Sequence, residues 1–211
     1  MAGVDPAPPQ PGRRSRQDPL SPGHGDTILS GYLCRTDQTA MQLFPAAPGF
    51  DDPLGMLQAC HTRILRQCDS LILLARHLAD RGVTGEAHET ARQVHRYFTT
   101  AGRHHHEDEE VDLFPLLLGA SPGLADVIAA LQHDHRGMEQ LWSQIEPLLA
   151  GITPAVDPEM LTRRALEFRA TYAAHIEHEN TKILPEARSV LSSHQISDLG
   201  ANMARRRGVR L

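Results

Sequence analysis

The sequence has few aromatic residues and no long apolar run. Phe, Trp and Tyr make up 4% of its 211 residues, and Ala and Leu supply most of the apolar side chains, which favours helices over sheets. No stretch alternates apolar and polar residues between turn signals, as strands do. No stretch approaches the roughly 18 consecutive apolar residues that a membrane span needs. We therefore expect an all-α protein with no membrane contact.

Cysteine is scarce, and charge is nearly balanced. Three cysteines without a CxxC pair, at Cys34, Cys60 and Cys68, and an N-terminus without an apolar signal segment are typical of a cytoplasmic protein. The formal net charge of -5 gives no overall attraction to nucleic acid. The basic cluster at residues 205–210 is interpreted as a solvated helix end rather than a nucleic-acid contact.

Composition divides the chain into three parts. Residues 1–48 are rich in Pro, Gly, Ser and Arg and lack apolar periodicity, so we expect a disordered arm. Residues 49–191 carry helical patterns and form the predicted domain. Residues 192–211 are predicted to form a short C-terminal helix and tail. No protein partner can be named from these segments.

Helix starts and stops predict four long helices. Three starts pair an N-cap residue with proline, and Thr84 caps a fourth; the three are Asp52-Pro53, Ser121-Pro122 and Asp157-Pro158. Glycines mark the stops, at Gly82, Gly119 and Gly151. The predicted helices cover residues 53–81, 85–118, 122–150 and 158–190. Short loops between them favour an up-down-up-down antiparallel four-helix bundle.

Two segments repeat one pattern 70 residues apart. His105-xxx-Glu109-Glu110 is followed by LFP, and His175-xxx-Glu179-Asn180 is followed by ILP. Residues four apart lie on one helical face, so each His and Glu can reach the same metal. The two carboxylates could then bridge two ions.

The thirteen histidines include four that fall on one level of the bundle. His61 and His105 each lie 22 residues from the middle of the loop that connects their helices, and His105 and His135 each lie 15 residues from the middle of theirs. His135 and His175 lie 18 and 22 residues from the middle of the last loop. These distances agree within about one helical turn, roughly 5.4 Å. The four are His61, His105, His135 and His175.

Each histidine alone has an ordinary explanation, either as a hydrogen-bonded core residue or as part of the exposed HHHEDEE run. Together, four histidines and two inward carboxylates favour a metal site, since buried carboxylates without partners are costly. Nitrogen and oxygen donors without thiolate fit Fe, Mn or Zn. The Glu-x-x-His pairs of ferritin-like bundles are missing from the corresponding helices.

These residues resemble the hemerythrin-like HHE cation-binding family over about residues 50–190. The resemblance implies a four-helix bundle with a non-heme di-iron centre. It also implies dioxygen, another diatomic molecule or peroxide as the partner, in roles that range from oxygen or nitric oxide sensing to iron storage and repair of iron centres. It implies metal ligands at His61, His105, Glu109, His135, His175 and Glu179.

One position departs from the oxygen carriers of this family, which have a histidine one turn after His135. Glu139 stands there, and it is a candidate seventh ligand, a partner of a ligand, or a surface acid. Fewer histidines favour a redox, sensing or scavenging role over reversible oxygen carriage. An enzyme that removes peroxide or nitric oxide and a metal-free structural bundle are the alternatives.

Other residues near the predicted site are given ordinary interpretations. We expect His104 and His106 to be exposed and Cys68 to be a packed core thiol. Trp142 and Tyr172 either line a pocket beside the metal or pack in the core.

Overall fold

The protein is described here from a computed structural model that covers residues 47–211. The predicted arm of residues 1–48 lies outside the described residues, apart from its last two positions, and so does Cys34. Within residues 47–211 the chain is helical and contains no strand, which confirms the all-α prediction. No helix in this range combines the length and the apolar character that crossing a membrane requires.

Four long helical stretches follow one another. The first stretch is α1 and the third contains α5. The second and fourth stretches are each made of shorter α-helices separated by wider π-helical turns. The helices are α1 (Pro53–Arg81), α2 (Gly85–Tyr97), α3 (Arg103–Glu107), α4 (Phe114–Ala120), α5 (Ala125–Ala150), α6 (Pro158–His178), α7 (Leu184–Val190) and α8 (Ser193–Arg206). The π turns are Phe98–Gly102, Asp108–Leu113 and Glu179–Ile183. Helix α1 packs against α2 and α6, and α5 packs against the same two helices.

Most of the predicted helix ends are confirmed. The side chains of Asp52, Thr84 and Asp157 accept backbone N–H groups at their helix starts, as N-caps do. Gly82 ends α1 with a φ of 68°, a conformation that costs glycine little. The prediction that Ser121 caps a helix is wrong, because its hydroxyl donates to Glu186 instead of accepting a backbone N–H.

The core consists of two apolar clusters with a polar layer between them. One cluster includes Leu57 on α1 and Ile128 on α5. The other includes Ile64 on α1 and Ile145 on α5. Along α1, His61 is buried between the two clusters. Burial of both clusters provides the main driving force for folding, and it holds the polar layer at a fixed height.

Helix α8 closes one end of the molecule. It packs on α1 and on the π turn Asp108–Leu113, with Leu199 and Met203 buried in an apolar cluster. Ser192 begins α8 with a reciprocal capping box to Gln195, which satisfies the first free N–H groups of the helix. The C-terminal helix is therefore an integral part of the packed structure.

The basic end of α8 is not the solvated helix end that was expected. Arg206 and Arg207 both pair with Asp108, whose side chain is completely buried. Arg206 also contacts Asp112, with an Nη2–Oδ2 distance of 2.6 Å. A buried carboxylate needs such partners, because leaving it unpaired would be costly.

Candidate metal centre

A π turn follows each repeated histidine and places the glutamate that comes four residues later. The N–H of Phe114 donates to the carbonyl of Glu109, five residues back. The N–H of Leu184 donates in the same way to Glu179. A proline follows each donor and cannot supply the next α-helical hydrogen bond. The repeated LFP and ILP sequences thus coincide with a local widening of the kind often found at functional sites.

Six predicted residues converge in the interior and form what we call the metal centre. Each of them is at most 2% exposed. Their donor atoms fall into two groups whose members lie within 4.8 Å of one another. The His61–His105 group consists of His61, His105, Glu109 and Glu179, and the His135–His175 group consists of His135, His175, Glu109 and Glu179.

Glu109 connects the two groups. Its Oε1 lies 3.2 Å from Nε2 of His105 and 3.8 Å from Nε2 of His61. Its Oε2 lies 3.5 Å from Nε2 of His135. One carboxylate therefore directs one oxygen toward each pair of histidines.

Glu179 connects the same groups from the opposite repeat. Its Oε2 lies 3.1 Å from Nε2 of His61, and its Oε1 lies 3.1 Å from Nε2 of His175. Nε2 of His135 and Nε2 of His175 are 3.0 Å apart. All four histidines thus turn the same ring nitrogen toward the two carboxylates.

Six polar atoms of the centre have no hydrogen-bond partner in the described part of the chain. The unpartnered atoms are Nε2 of His61, Nδ1 of His105, Oε2 of Glu109, Nδ1 of His175 and both carboxylate oxygens of Glu179. Short distances without hydrogen-bond geometry are what metal ligands show, since they aim at a common ion. The donor set, four imidazoles and two carboxylates, fits divalent transition metals.

The buried charges explain why a cation suits this centre. Burial and the neighbouring Glu179 raise the pKa of Glu109 well above its usual range. Burial lowers the pKa of His61, but Glu109 and Glu179 outweigh it and raise that pKa to about 10. Burial lowers the pKa of His135 to about 3, which leaves its ring neutral. Cations bound here would take the place of the protons that these shifts favour on Glu109 and His61.

Two of the four ring nitrogens that face away from the centre have hydrogen-bonding contacts. Nδ1 of His135 lies 2.7 Å from Oε1 of Glu110, and Nδ1 of His61 lies 2.9 Å from Oδ1 of Asn180. Such contacts fix the orientation and tautomer of a metal-binding histidine. Both partners directly follow a repeated glutamate in the sequence. The doubled positions Glu109-Glu110 and Glu179-Asn180 were visible in the motif, but their role was not predicted.

His106 is not the exposed residue that was expected. It is partly buried, and its ring stacks on that of His135 with a centroid distance of 4.0 Å. Its Nε2 lies 3.3 Å from the hydroxyl of Tyr172. Both residues line a cavity of about 390 Å³, a size typical of small-molecule sites. Trp142 also lines this cavity, and both aromatic residues also pack in the apolar cluster that includes Ile64.

Glu139 stands apart from the metal centre. It is exposed, it belongs to neither group of candidate ligands, and it lines the same cavity. The structure thus brings together six of the seven predicted site residues. Cys68 is a buried core thiol, as predicted.

Comparison with known proteins agrees with this geometry. The family model of the hemerythrin HHE cation binding domain matches residues 52–187. The chain belongs to the hemerythrin HHE family. A relative from Haemophilus influenzae, described only as an uncharacterized protein, is 30% identical over 165 residues, which cover 76% of this chain and 93% of that protein.

Membership of the hemerythrin HHE family accounts for the composition of the metal centre. Both repeated His-xxx-Glu motifs lie within the matched range, and so do the lone histidines of α1 and α5. Helix α8, whose arginines reach Asp108, lies beyond it. The matched range therefore covers the candidate ligands but not the helix that closes one end.

Proposed function

We propose that this protein holds two non-heme iron ions and uses them to sense or handle dioxygen, nitric oxide or peroxide. One observation carries the proposal: Glu109 and Glu179 each turn one carboxylate oxygen toward each pair of histidines. That arrangement suits two adjacent cations bridged by carboxylates. Iron is proposed from the family and from the nitrogen and oxygen donors.

In this proposal the six residues of the metal centre hold the ions, and Glu139 does not. The histidines would bind through Nε2, and the glutamates would bridge. A bound iron pair supplies one-electron chemistry and open coordination positions for small ligands. The surrounding apolar clusters exclude bulk water from the buried residues, which strengthens the electrostatic attraction between the carboxylates and the ions.

The proposal extends to the fold and its location. We infer an up-down-up-down antiparallel bundle over residues 49–191, because each long helical stretch meets the two apolar clusters in the opposite order to the one before. Leu57 precedes His61 and Ile64 on α1, whereas Val94 precedes His105 and Leu113 on the next stretch. We place the protein in the cytoplasm, since its three cysteines are an odd number and Cys60 and Cys68 are free thiols, as a reducing compartment favours.

Anaerobic titration of metal-stripped protein with Fe(II) tests the proposal. We expect two ions per chain and a rise in melting temperature as the ions bind. His105→Ala removes a proposed ligand and lowers the stoichiometry. His104→Ala is the matched control, because the neighbouring His104 belongs to neither ligand group. Fewer than two ions in the unaltered protein would contradict the proposal.

An enzymatic role is the second candidate, and the cavity favours it. Its volume of about 390 Å³ gives a substrate room beside the candidate ligands, since His106 and Glu110 line it. Iron-loaded protein should then destroy peroxide catalytically, and His105→Ala should abolish this activity. A sensor or binder would show a reversible ligand absorption band without turnover.

A further inference from the structure

The two ligand groups share both glutamates but differ in the residues behind their histidines, that is, the residues near the Nδ1 atoms that face away from the centre. A histidine that binds a metal through Nε2 can donate its Nδ1–H to another residue. The charge of that acceptor changes the electron density of the ring, and a carboxylate makes the imidazole a stronger donor. The two metal positions can therefore differ even though their direct ligands match.

Carboxylates lie behind the His135–His175 group. Glu110 Oε1 is 2.7 Å from Nδ1 of His135, a hydrogen-bonding distance typical of a charged acceptor. Asp134 Oδ2 is 3.6 Å from Nδ1 of His175, within range of an ion pair although not hydrogen-bonded. Two negative groups thus accompany the two histidines of this position.

A neutral amide lies behind the His61–His105 group. Asn180 Oδ1 is 2.9 Å from Nδ1 of His61. Nδ1 of His105 has no hydrogen-bond partner within residues 47–211. This position therefore has matching direct ligands but no carboxylate behind either histidine.

The difference originates in the repeat itself. Glu110 and Asn180 occupy the same place in the two motifs, directly after the shared glutamates. Each residue contacts a histidine of another helix. Because one copy of the motif has Glu and the other has Asn, one histidine faces a carboxylate and the other faces a neutral amide. The cavity adjoins the carboxylate-backed position, since Glu110 and His106 both line it.

We propose that the two metal positions are inequivalent, and that Glu110 and Asp134 make the His135–His175 position the first to give up an electron. This inference rests on the proposed di-iron function. Negative charge and stronger imidazole donors stabilise the more highly charged ferric ion. The step is the removal of one electron from a ferrous ion by an electrode, and no bond of the protein forms or breaks.

Spectroelectrochemical oxidation of the fully ferrous protein tests this inference. We expect two separate one-electron steps, with a mixed-valence signal in the electron paramagnetic resonance spectrum between them. Glu110→Gln keeps an acceptor for His135 but removes its charge. It should move the first step to a more positive potential and narrow the gap between the steps.

Asn180→Asp makes the opposite change at the other position. It adds a carboxylate behind His61 and should move the second step to a more negative potential. Glu177→Gln is the matched control, because Glu177 is exposed between His175 and Glu179 and accepts from Thr181 through its backbone carbonyl rather than its carboxylate. It should leave both steps in place.

A measurement of metal affinity supports the electrochemistry and does not depend on redox activity. Glu110→Gln should weaken binding of one of two Co(II) ions by about 10–100-fold and leave the other unchanged. If the protein binds two ions but Glu110→Gln shifts both oxidation potentials equally, or shifts neither, this inference is overturned and the proposed function stays intact. Protein that binds fewer than two ions would overturn the proposed function itself.

Discussion

Asp108 and Arg207 form a bidentate ion pair between the helical stretch that carries Glu109 and the end of the C-terminal helix. Arg207 Nη2 lies 2.6 Å from Oδ2 of Asp108, and Nη1 lies 3.1 Å from Oδ1. Asp108 is completely buried and immediately precedes Glu109. The pair therefore links α8 directly to the backbone that positions a proposed metal ligand.

Arg207→Ala should destabilise the protein because it deprives a buried carboxylate of a partner. Breaking a buried pair costs roughly 3–5 kcal/mol, but Arg206 remains beside Asp108, so we expect a loss of about 2 kcal/mol. Urea unfolding of metal-free protein measures it. Arg205→Ala is the control, since Arg205 is exposed and its guanidinium donates to Asn202 rather than to a buried carboxylate, and an equal loss in both variants would contradict the expectation.

Gly200→Ala should destabilise the packing of α8. A Cβ atom at Gly200 would collide with the carbonyl oxygen of Phe50, so the helix would have to move. Overpacking of this kind costs roughly 1–3 kcal/mol. Gly137→Ala is the matched control within α5, where a Cβ has open space. It should stabilise the protein by about 0.5–1 kcal/mol, because alanine favours helix interiors. Thermal melts measure both effects, and a lower melting temperature in both variants would contradict this account.

Glu109→Leu should separate stability from function. The substitution replaces a buried carboxyl, whose raised pKa reflects the cost of its burial, by an apolar side chain of similar volume, so metal-free protein should gain about 1 kcal/mol. The same variant should lose the rise in melting temperature with Fe(II), because it lacks a bridging carboxylate. Glu177→Leu changes an exposed neighbour and should keep the response to iron. A retained response in Glu109→Leu would exclude Glu109 as a ligand.

The buried thiol of Cys68 predicts a loss of stability at high pH. Burial raises its pKa to about 12, whereas an exposed thiol has a pKa of roughly 8.5. The folded state therefore holds the proton more tightly, and this contribution to stability is present below about pH 8.5 and lost as the pH rises toward 12. Unfolding free energies between pH 8 and pH 10 test it, and Cys68→Ala should flatten the slope.

Burial of Cys60 and Cys68 also predicts that their thiols are protected from chemical reagents. In a Cys34→Ser variant, buried Cys60 and Cys68 should resist a disulfide reagent in the native state and react after addition of denaturant. Rapid reaction of native protein would show that the helix pairs open easily around α1.

Local sequence patterns predicted most of the fold. The caps at Asp52 and Asp157 and the stop at Gly82 depend on residues within one turn, so their physics is contained in a few neighbouring positions. The spacing of His105 and Glu109 is local as well, since residues four apart share a helical face. The assignment of all six residues as ligands remains a prediction, which the metal titrations address.

Contacts between helices were harder to predict. The neighbours His105 and His106 differ in surroundings only because the helix rotates one ring into the metal centre and stacks the other on His135. The pattern of Arg205, Arg206 and Arg207 is typical of an exposed helix end, and nothing near it in the sequence indicates that Asp108 is buried opposite. Helix rotation and offset decide such contacts, and periodicity fixes them only to within about a turn.

The sequence by itself determined the helices, the common level of four histidines and the repeated His-xxx-Glu motif, because each depends on spacing along one helix or on short loops. Only the tertiary structure decided which residues stand behind those histidines. Glu110 meets His135 across 25 residues and Asn180 meets His61 across 119. These contacts arise when helices pack at a particular rotation, which is selected by burial of the two apolar clusters. The charge difference between the two proposed metal positions follows from that packing.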